Sequence, residues 1–89
     1  MEALQEIREA CRELHEDAET PKNVRFKLSL LMQMLEGGGD ISVCINRALT
    51  ELEELASDVN VNSYVRMQLL SISSMLEMLE SSVVARDTR

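Results

Sequence analysis

The sequence predicts an all-α protein, an antiparallel four-helix bundle made of two repeated helical hairpins. Composition, the spacing of apolar residues and an internal repeat lead to this class. Of the 89 residues, 45% are hydrophobic but only 2% are aromatic, and there are six methionines, three glycines and one proline. A chain rich in Leu, Met and Glu and poor in aromatic residues favours helices over strands. Its length corresponds to one small domain.

Apolar residues recur every three or four positions in four stretches, which is the spacing of amphipathic helices with one buried face. The first two stripes consist of Leu4, Ile7, Cys11, Leu14 and Ala18, and of Val24, Leu28, Leu31 and Leu35. The third and fourth consist of Ile41, Ile45, Ala48, Leu52, Leu55 and Val59, and of Val65, Leu69, Ile72, Leu76, Leu79 and Val83.

Capping residues precede three of these stripes. Thr20 is expected to be the N-cap of the second helix, with Pro21 in its first helical position. Asp40 or Ser42 can cap the third helix, and the fourth can be capped by either of two asparagines, Asn60 or Asn62.

An internal repeat organises the four helices into two hairpins. A shift of 41 residues aligns residues 4–36 with 45–77, and the identities include Asp17 with Asp58, the Val-Arg pairs at 24–25 and 65–66, and the Met-Leu-Glu triplets at 34–36 and 75–77. We therefore predict a single domain over 1–84, with hairpins at about 2–36 and 41–83 joined by a glycine linker at 37–39, and a frayed tail at 85–89. Short connections within each hairpin favour antiparallel neighbours.

Charge and hydropathy argue against several functional classes. The chain carries 16 acidic and 9 basic residues, a net charge of −7, which opposes binding to nucleic acid or to an anionic membrane. No apolar run approaches the roughly 20 residues of a membrane span. Three glutamates within residues 1–10 argue against a secretory signal peptide. A cytoplasmic location is expected.

The residue types that carry chemistry do not form a recognisable motif. Cys11 and His15 are four positions apart and can share a helical face, but two ligands do not make a metal site, and Cys44 is distant in sequence. The single histidine is the only candidate base for a nucleophilic thiol. The triple glycine lacks the Gly-Lys-Ser/Thr ending of a phosphate loop. We therefore expect no enzyme activity, no metal and no cofactor.

The second and fourth helices each carry a second apolar or uncharged face. At about 100° per residue, one set of side chains lies roughly opposite the core stripes; its members are Phe26, Leu30, Met34, Met67 and Met78. This pattern predicts a non-enzymatic interaction module, favouring a homodimer that sandwiches helices two and four. A helical protein client would use the same face. The structural alternative is a skewed bundle that buries these side chains itself.

A second functional hypothesis starts from the basic residues at the head of the second helix. Lys22, Arg25 and Lys27 form the one positive cluster of the sequence. The cluster favours an accessory protein that contacts a ribonucleoprotein or transcription complex. Three charges without aromatic stacking partners make a thin footprint for direct nucleic-acid binding.

The turns carry a resemblance to known helical repeats. Each hairpin has an aspartate near the end of its first helix and a Val-Arg pair early in its second: Asp17 with Arg25, and Asp58 with Arg66. This arrangement resembles the HEAT-type repeat, in which such residues tie neighbouring units together. The resemblance implies structural ion pairs among these four residues.

Taken whole, the chain resembles a short archaeal group, uncharacterised protein family 0147. The resemblance lies in Pro21, in the two Val-Arg pairs, and in the Ile-Ser-Val sequence at 41–43. The chain departs from the family pattern at Asn62, where a proline is expected, and in its triple glycine. The resemblance implies two helical hairpins and no particular activity.

Overall fold

Four helices account for most of the computed structural model, which describes the backbone of residues 2–87 and the side chains of residues 2–82. They are α1 (Glu2–Glu16), α2 (Lys22–Glu36), α3 (Ile41–Ala56) and α4 (Ser63–Asp87). The prediction of a tail from residue 85 was wrong for 85–87, where α4 continues; residues 88 and 89 lie outside the described part.

The helices form a closed ring, which confirms the antiparallel four-helix bundle. Within the described residues, each helix packs against two others: α1 against α2 and α4, and α3 against α2 and α4. The diagonal pairs α1–α3 and α2–α4 do not pack together. The 41-residue repeat therefore becomes an approximate two-fold axis along the bundle, and repeat-equivalent helices occupy opposite corners.

One continuous core fills the centre of the ring, and it contains the predicted stripes. Repeat-equivalent residues have equivalent burial: Val24 and Val65 are fully buried, as are Leu28 and Leu69. The remaining buried apolar residues are Ile7, Cys11, Leu14, Leu31, Leu35, Ile45, Ala48, Leu52, Leu55, Ala56, Val61, Ile72, Leu76 and Leu79. Burial of this apolar area is the main stabilising contribution to the fold.

The ends of the stripes differ from the prediction because the first helix of each hairpin stops early. Since α1 ends at Glu16 and α3 at Ala56, the predicted stripe members Ala18 and Val59 fall in turns and are exposed. The side chains of Thr20 and Val61 occupy the space beneath the turns instead and are buried. These two positions are equivalent in the repeat.

Side-chain caps begin α3 and α4, whereas α2 begins without one. Asp40 Oδ1 accepts hydrogen bonds from the backbone N–H groups of Ser42 (2.9 Å) and Val43 (3.3 Å). Asn62 Oδ1 accepts one from Val65 N (2.9 Å). Pro21 stands at the N-cap itself, one position earlier than predicted, and makes no side-chain cap.

Thr20 does not cap α2 as predicted. Its side chain points back toward the core, and its Oγ1 donates a 2.6 Å hydrogen bond to the carbonyl of Leu14. The buried hydroxyl thereby satisfies one of the carbonyls left free at the end of α1.

The two conserved-spacing arginines hold the turns, but not through ion pairs. Arg66 donates to the carbonyl oxygens of Ala56 (2.8 Å), Val61 (3.0 Å) and Asp58 (3.1 Å). Arg25 makes the equivalent set, to Thr20 (3.0 Å), Asp17 (3.2 Å) and Ala18 (3.4 Å).

The aspartates contribute main-chain oxygens to these contacts, and their carboxylates serve another purpose. Asp17 Oδ1 accepts from the N–H of Glu19 (2.9 Å), and Asp58 Oδ1 from that of Asn60 (2.8 Å). These are Asx-turns, which stabilise the reversal of the chain locally. The prediction of Asp–Arg ion pairs was therefore wrong about the atoms, although it brought the correct residues together.

Candidate interaction surface

The outer face of α2 exposes two large apolar side chains, as the sequence predicted. Phe26 is 65% exposed and Leu30 is 39% exposed; we call these two residues the α2 patch. Met34, also predicted here, is half-buried and packs against the core. The sequence projection did not show that a side chain at the flank of a helix can lean inward over a neighbouring helix.

The outer face of α4 is longer and uncharged. Met67 is 64% exposed and Met78 is 75% exposed, with the exposed residues Ser71 and Ser74 between them. We call these four residues the α4 stripe. Between residues 63 and 82 the charged side chains are Arg66, Glu77 and Glu80, none of which belongs to the stripe.

Two further exposed side chains border the α4 stripe. Leu70 is 45% exposed and Tyr64 is 47% exposed. The sequence analysis omitted Leu70, although its position beside the core residue Leu69 turns it about 100° away from the core stripe. Tyr64 donates a 3.2 Å hydrogen bond to Asp17 Oδ2, which joins the turns of the two hairpins and raises the pKa of Tyr64.

The two faces lie on opposite sides of the bundle. Because α2 and α4 occupy diagonal corners, their outer faces point away from each other, and Phe26 and its repeat equivalent Met67 diverge. A single two-fold interface cannot include both faces. The predicted dimer that sandwiches both helices is corrected on this point: each face needs its own contact.

The predicted basic cluster at the head of α2 is largely occupied by internal contacts. Arg25 donates to turn carbonyls, as described above. Lys27 Nζ lies 2.6 Å from Glu51 Oε1 on α3, and this contact raises the pKa of Lys27. Lys22 is exposed. The cluster is therefore divided, and it presents no continuous positive surface.

A shallow groove of about 410 Å³ runs between α2 and α3 beside this ion pair. Lys27, Leu30 and Met34 line it from α2, and Arg47 and Glu51 from α3. Both signs of charge meet at its walls, so its field favours neither anions nor cations strongly.

The cysteines and the histidine do not assemble into a reactive site. Burial raises the pKa of the Cys11 thiol to about 11, which disfavours the thiolate needed for nucleophilic attack or metal binding. Cys44 is half-buried and its Sγ contacts the carbonyl of Met34 at 3.5 Å. Among the residues that the structure describes, no group of three or more His, Cys, Asp or Glu side chains is arranged to hold a metal ion.

A protein-family model matches residues 1–79, which include both hairpins apart from the last part of α4. The chain belongs to the uncharacterised protein family UPF0147. The resemblance proposed from the turn residues is therefore confirmed. A UPF0147 protein of the archaeon Archaeoglobus fulgidus is 28% identical to this chain over 74 residues, which cover 83% of the chain and 85% of the relative. No solved structure matches the chain.

The UPF0147 chain shows no membrane-crossing element in its described part: none of those helices is both long and apolar enough. Because the family name assigns no activity, the functional argument depends on the surface of the bundle. The exposed apolar faces of α2 and α4 are its most distinctive features.

Proposed function

We propose that this UPF0147 protein is a non-enzymatic interaction module that self-associates through the apolar outer faces of α2 and α4. The observation that supports this proposal is the exposure of Phe26, Met67 and Met78, each more than 60% accessible on a chain that buries its other core-type side chains well. Large apolar side chains grouped on one face commonly mark contact sites.

Methionine suits such a contact physically. Its unbranched side chain adapts to the shape of a partner helix, and burying it removes apolar area from water. The acidic residues are concentrated elsewhere: Glu6, Glu13 and Glu54 are exposed on α1 and α3. Two copies approaching through α2 or α4 therefore avoid the most strongly repelling parts of the surface.

The alternative of a contact with a ribonucleoprotein gains less support from the structure. Arg25 and Lys27, two of its three residues, already have intramolecular partners. RNA binding would have to displace the Lys27–Glu51 contact within an overall field of −7. We therefore retain self-association as the proposed function.

The test is the absolute mass of the chain by light scattering after size exclusion, from micromolar to millimolar concentration. The chain mass is 10.1 kDa, so self-association predicts a species of about 20 kDa that forms as concentration rises. Two double variants address the faces separately: Phe26→Glu with Leu30→Glu, and Met67→Glu with Met78→Glu.

The matched control places the same two charges at exposed apolar residues outside both faces. Val43 is 55% exposed on α3 and Val59 is 91% exposed in a turn, so Val43→Glu with Val59→Glu should leave the mass unchanged. A wild-type mass of 10 kDa at every concentration would refute self-association. Equal loss of mass in the control would show that added charge, and not the location, controls it.

A further inference from the structure

The α4 stripe has a symmetric sequence. Its members follow one another at intervals of four, three and four residues, in the order Met67, Ser71, Ser74 and Met78. Read in either direction, the order of side chains is the same: a methionine, two serines and a methionine. The centre of this symmetry lies between Ile72 and Ser73. These intervals also keep all four side chains on one line along the helix, as in the seam of a coiled coil.

From this symmetry we propose that α4 pairs antiparallel with the α4 of a second copy, around a two-fold axis that passes between Ile72 and Ser73. The inference rests on the proposed self-association and assigns it to one face. In this arrangement Met67 of one copy faces Met78 of the other, and Ser71 faces Ser74. The small serines at the centre let the helices approach closely, and the methionines pack at the two ends.

Charge favours the antiparallel direction. The axis sets residue 66 of one copy at the height of residue 79 of the other, so that Arg66 lies level with the acidic region of Glu77 and Glu80. A parallel pairing would align each of these charges with its own copy. The antiparallel pairing also opposes the two helix dipoles, which is the favourable orientation.

The symmetry also selects the occupant. A two-fold contact uses the same surface on both chains, so it requires a self-complementary surface. The α4 stripe meets this requirement without change. The α2 patch is shorter, because Ser29 and Met34 beside it are half-buried, and it shows no comparable repeat of side chains.

The size of the contact sets the expected affinity. One helix per chain, bordered by Leu70 and Tyr64, contributes to it, and such contacts fall toward the lower end of specific interfaces, at about 1,200 Å² or less in total. We therefore expect dissociation in the micromolar range, which explains the choice of concentrations for the mass measurement.

The test uses opposite charges at the two methionine positions. Met67→Glu with Met78→Glu brings like charges together across an antiparallel pair and should give a mass of about 10 kDa. Met67→Lys with Met78→Glu places a lysine opposite a glutamate at both ends, and should restore a mass of about 20 kDa at low ionic strength. Circular dichroism checks that both variants remain helical; because both residues are exposed, their folding should be unchanged.

The outcomes separate this inference from the proposed function. If both double variants are monomeric while the wild type is a dimer, α4 is used but the antiparallel register is wrong. If the double-glutamate variant remains dimeric, the dimer uses another face, and the α4 pairing is refuted while self-association stands. A monomeric wild type refutes both.

Discussion

Replacing Arg66 tests whether the turns are held by hydrogen bonds to carbonyl groups. Its guanidinium reaches three main-chain oxygens at 2.8–3.1 Å from a half-buried position. A hydrogen bond to a charged group contributes about 1.5–3 kcal/mol net. Because the three bonds share one side chain, we expect Arg66→Gln to lower the free energy of unfolding by about 3 kcal/mol in total.

The assay is equilibrium urea unfolding followed by circular dichroism. With a urea m-value of about 1 kcal/mol/M for a domain of this size, the midpoint should fall by about 3 M with no change in slope. Arg25→Gln should cost less, about 2 kcal/mol, because its bonds are longer, at 3.0–3.4 Å. Arg12→Gln, at an exposed position of α1, is the control and should change stability by less than about 0.5 kcal/mol.

The aspartate variants distinguish carbonyl contacts from ion pairs. Asp58→Asn removes the negative charge but keeps the oxygen that accepts from Asn60 N. If the arginine binds main-chain oxygens, this variant should retain the stability of the wild type within about 0.5 kcal/mol. A loss as large as that of Arg66→Gln would show that an Asp58–Arg66 ion pair stabilises the turn, and would refute our assignment.

Further predictions address the core, the caps and pH. Leu28→Ala, at a fully buried position, should cost about 3 kcal/mol in urea unfolding; Leu70→Ala, on the surface of α4, is its matched control and should cost less than 1 kcal/mol, about the range of surface changes. Asp40→Ala should lower stability by about 1 kcal/mol through loss of the α3 cap, and equal stability of the variant would contradict that role. Folding raises the pKa of Cys11 from 9.0 to about 11, so the folded state holds this proton more tightly, and stability should be lost between about pH 9 and 11. The raised pKa of Lys27 acts in the same direction, and Cys11→Ala should flatten the profile.

Much of the fold follows from the sequence because periodicity reports burial directly. The stripe through Val24, Leu28 and Leu31 faces the core because residues three and four apart share a helical face. The repeat then predicted which helices are equivalent. Capping chemistry at Asp40 and Asn62 was also local enough to be recognised.

What the sequence could not provide was the arrangement of helices around the ring. Periodicity specifies which side of α2 or α4 is apolar, but not the corner that each helix occupies, which depends on packing between distant parts of the chain. This is why Phe26 and Met67 were assigned to one interface although their faces diverge. The turns failed for a different reason: nothing in the sequence distinguishes the carbonyl of Asp17 from its carboxylate as the acceptor for Arg25.

The glycine linker has a consequence for how the bundle is assembled. Gly38 has a φ of 75°, a conformation that glycine adopts readily, and neither Gly38 nor Gly39 has a neighbour that would contact an added Cβ. The linker therefore acts as a tether, and the bundle is in effect an intramolecular pair of hairpins. A short flexible tether supplies an effective concentration in the millimolar range. Below that concentration each hairpin pairs with the one on its own chain, so exchange of hairpins between chains should become significant only as the protein itself approaches millimolar concentration.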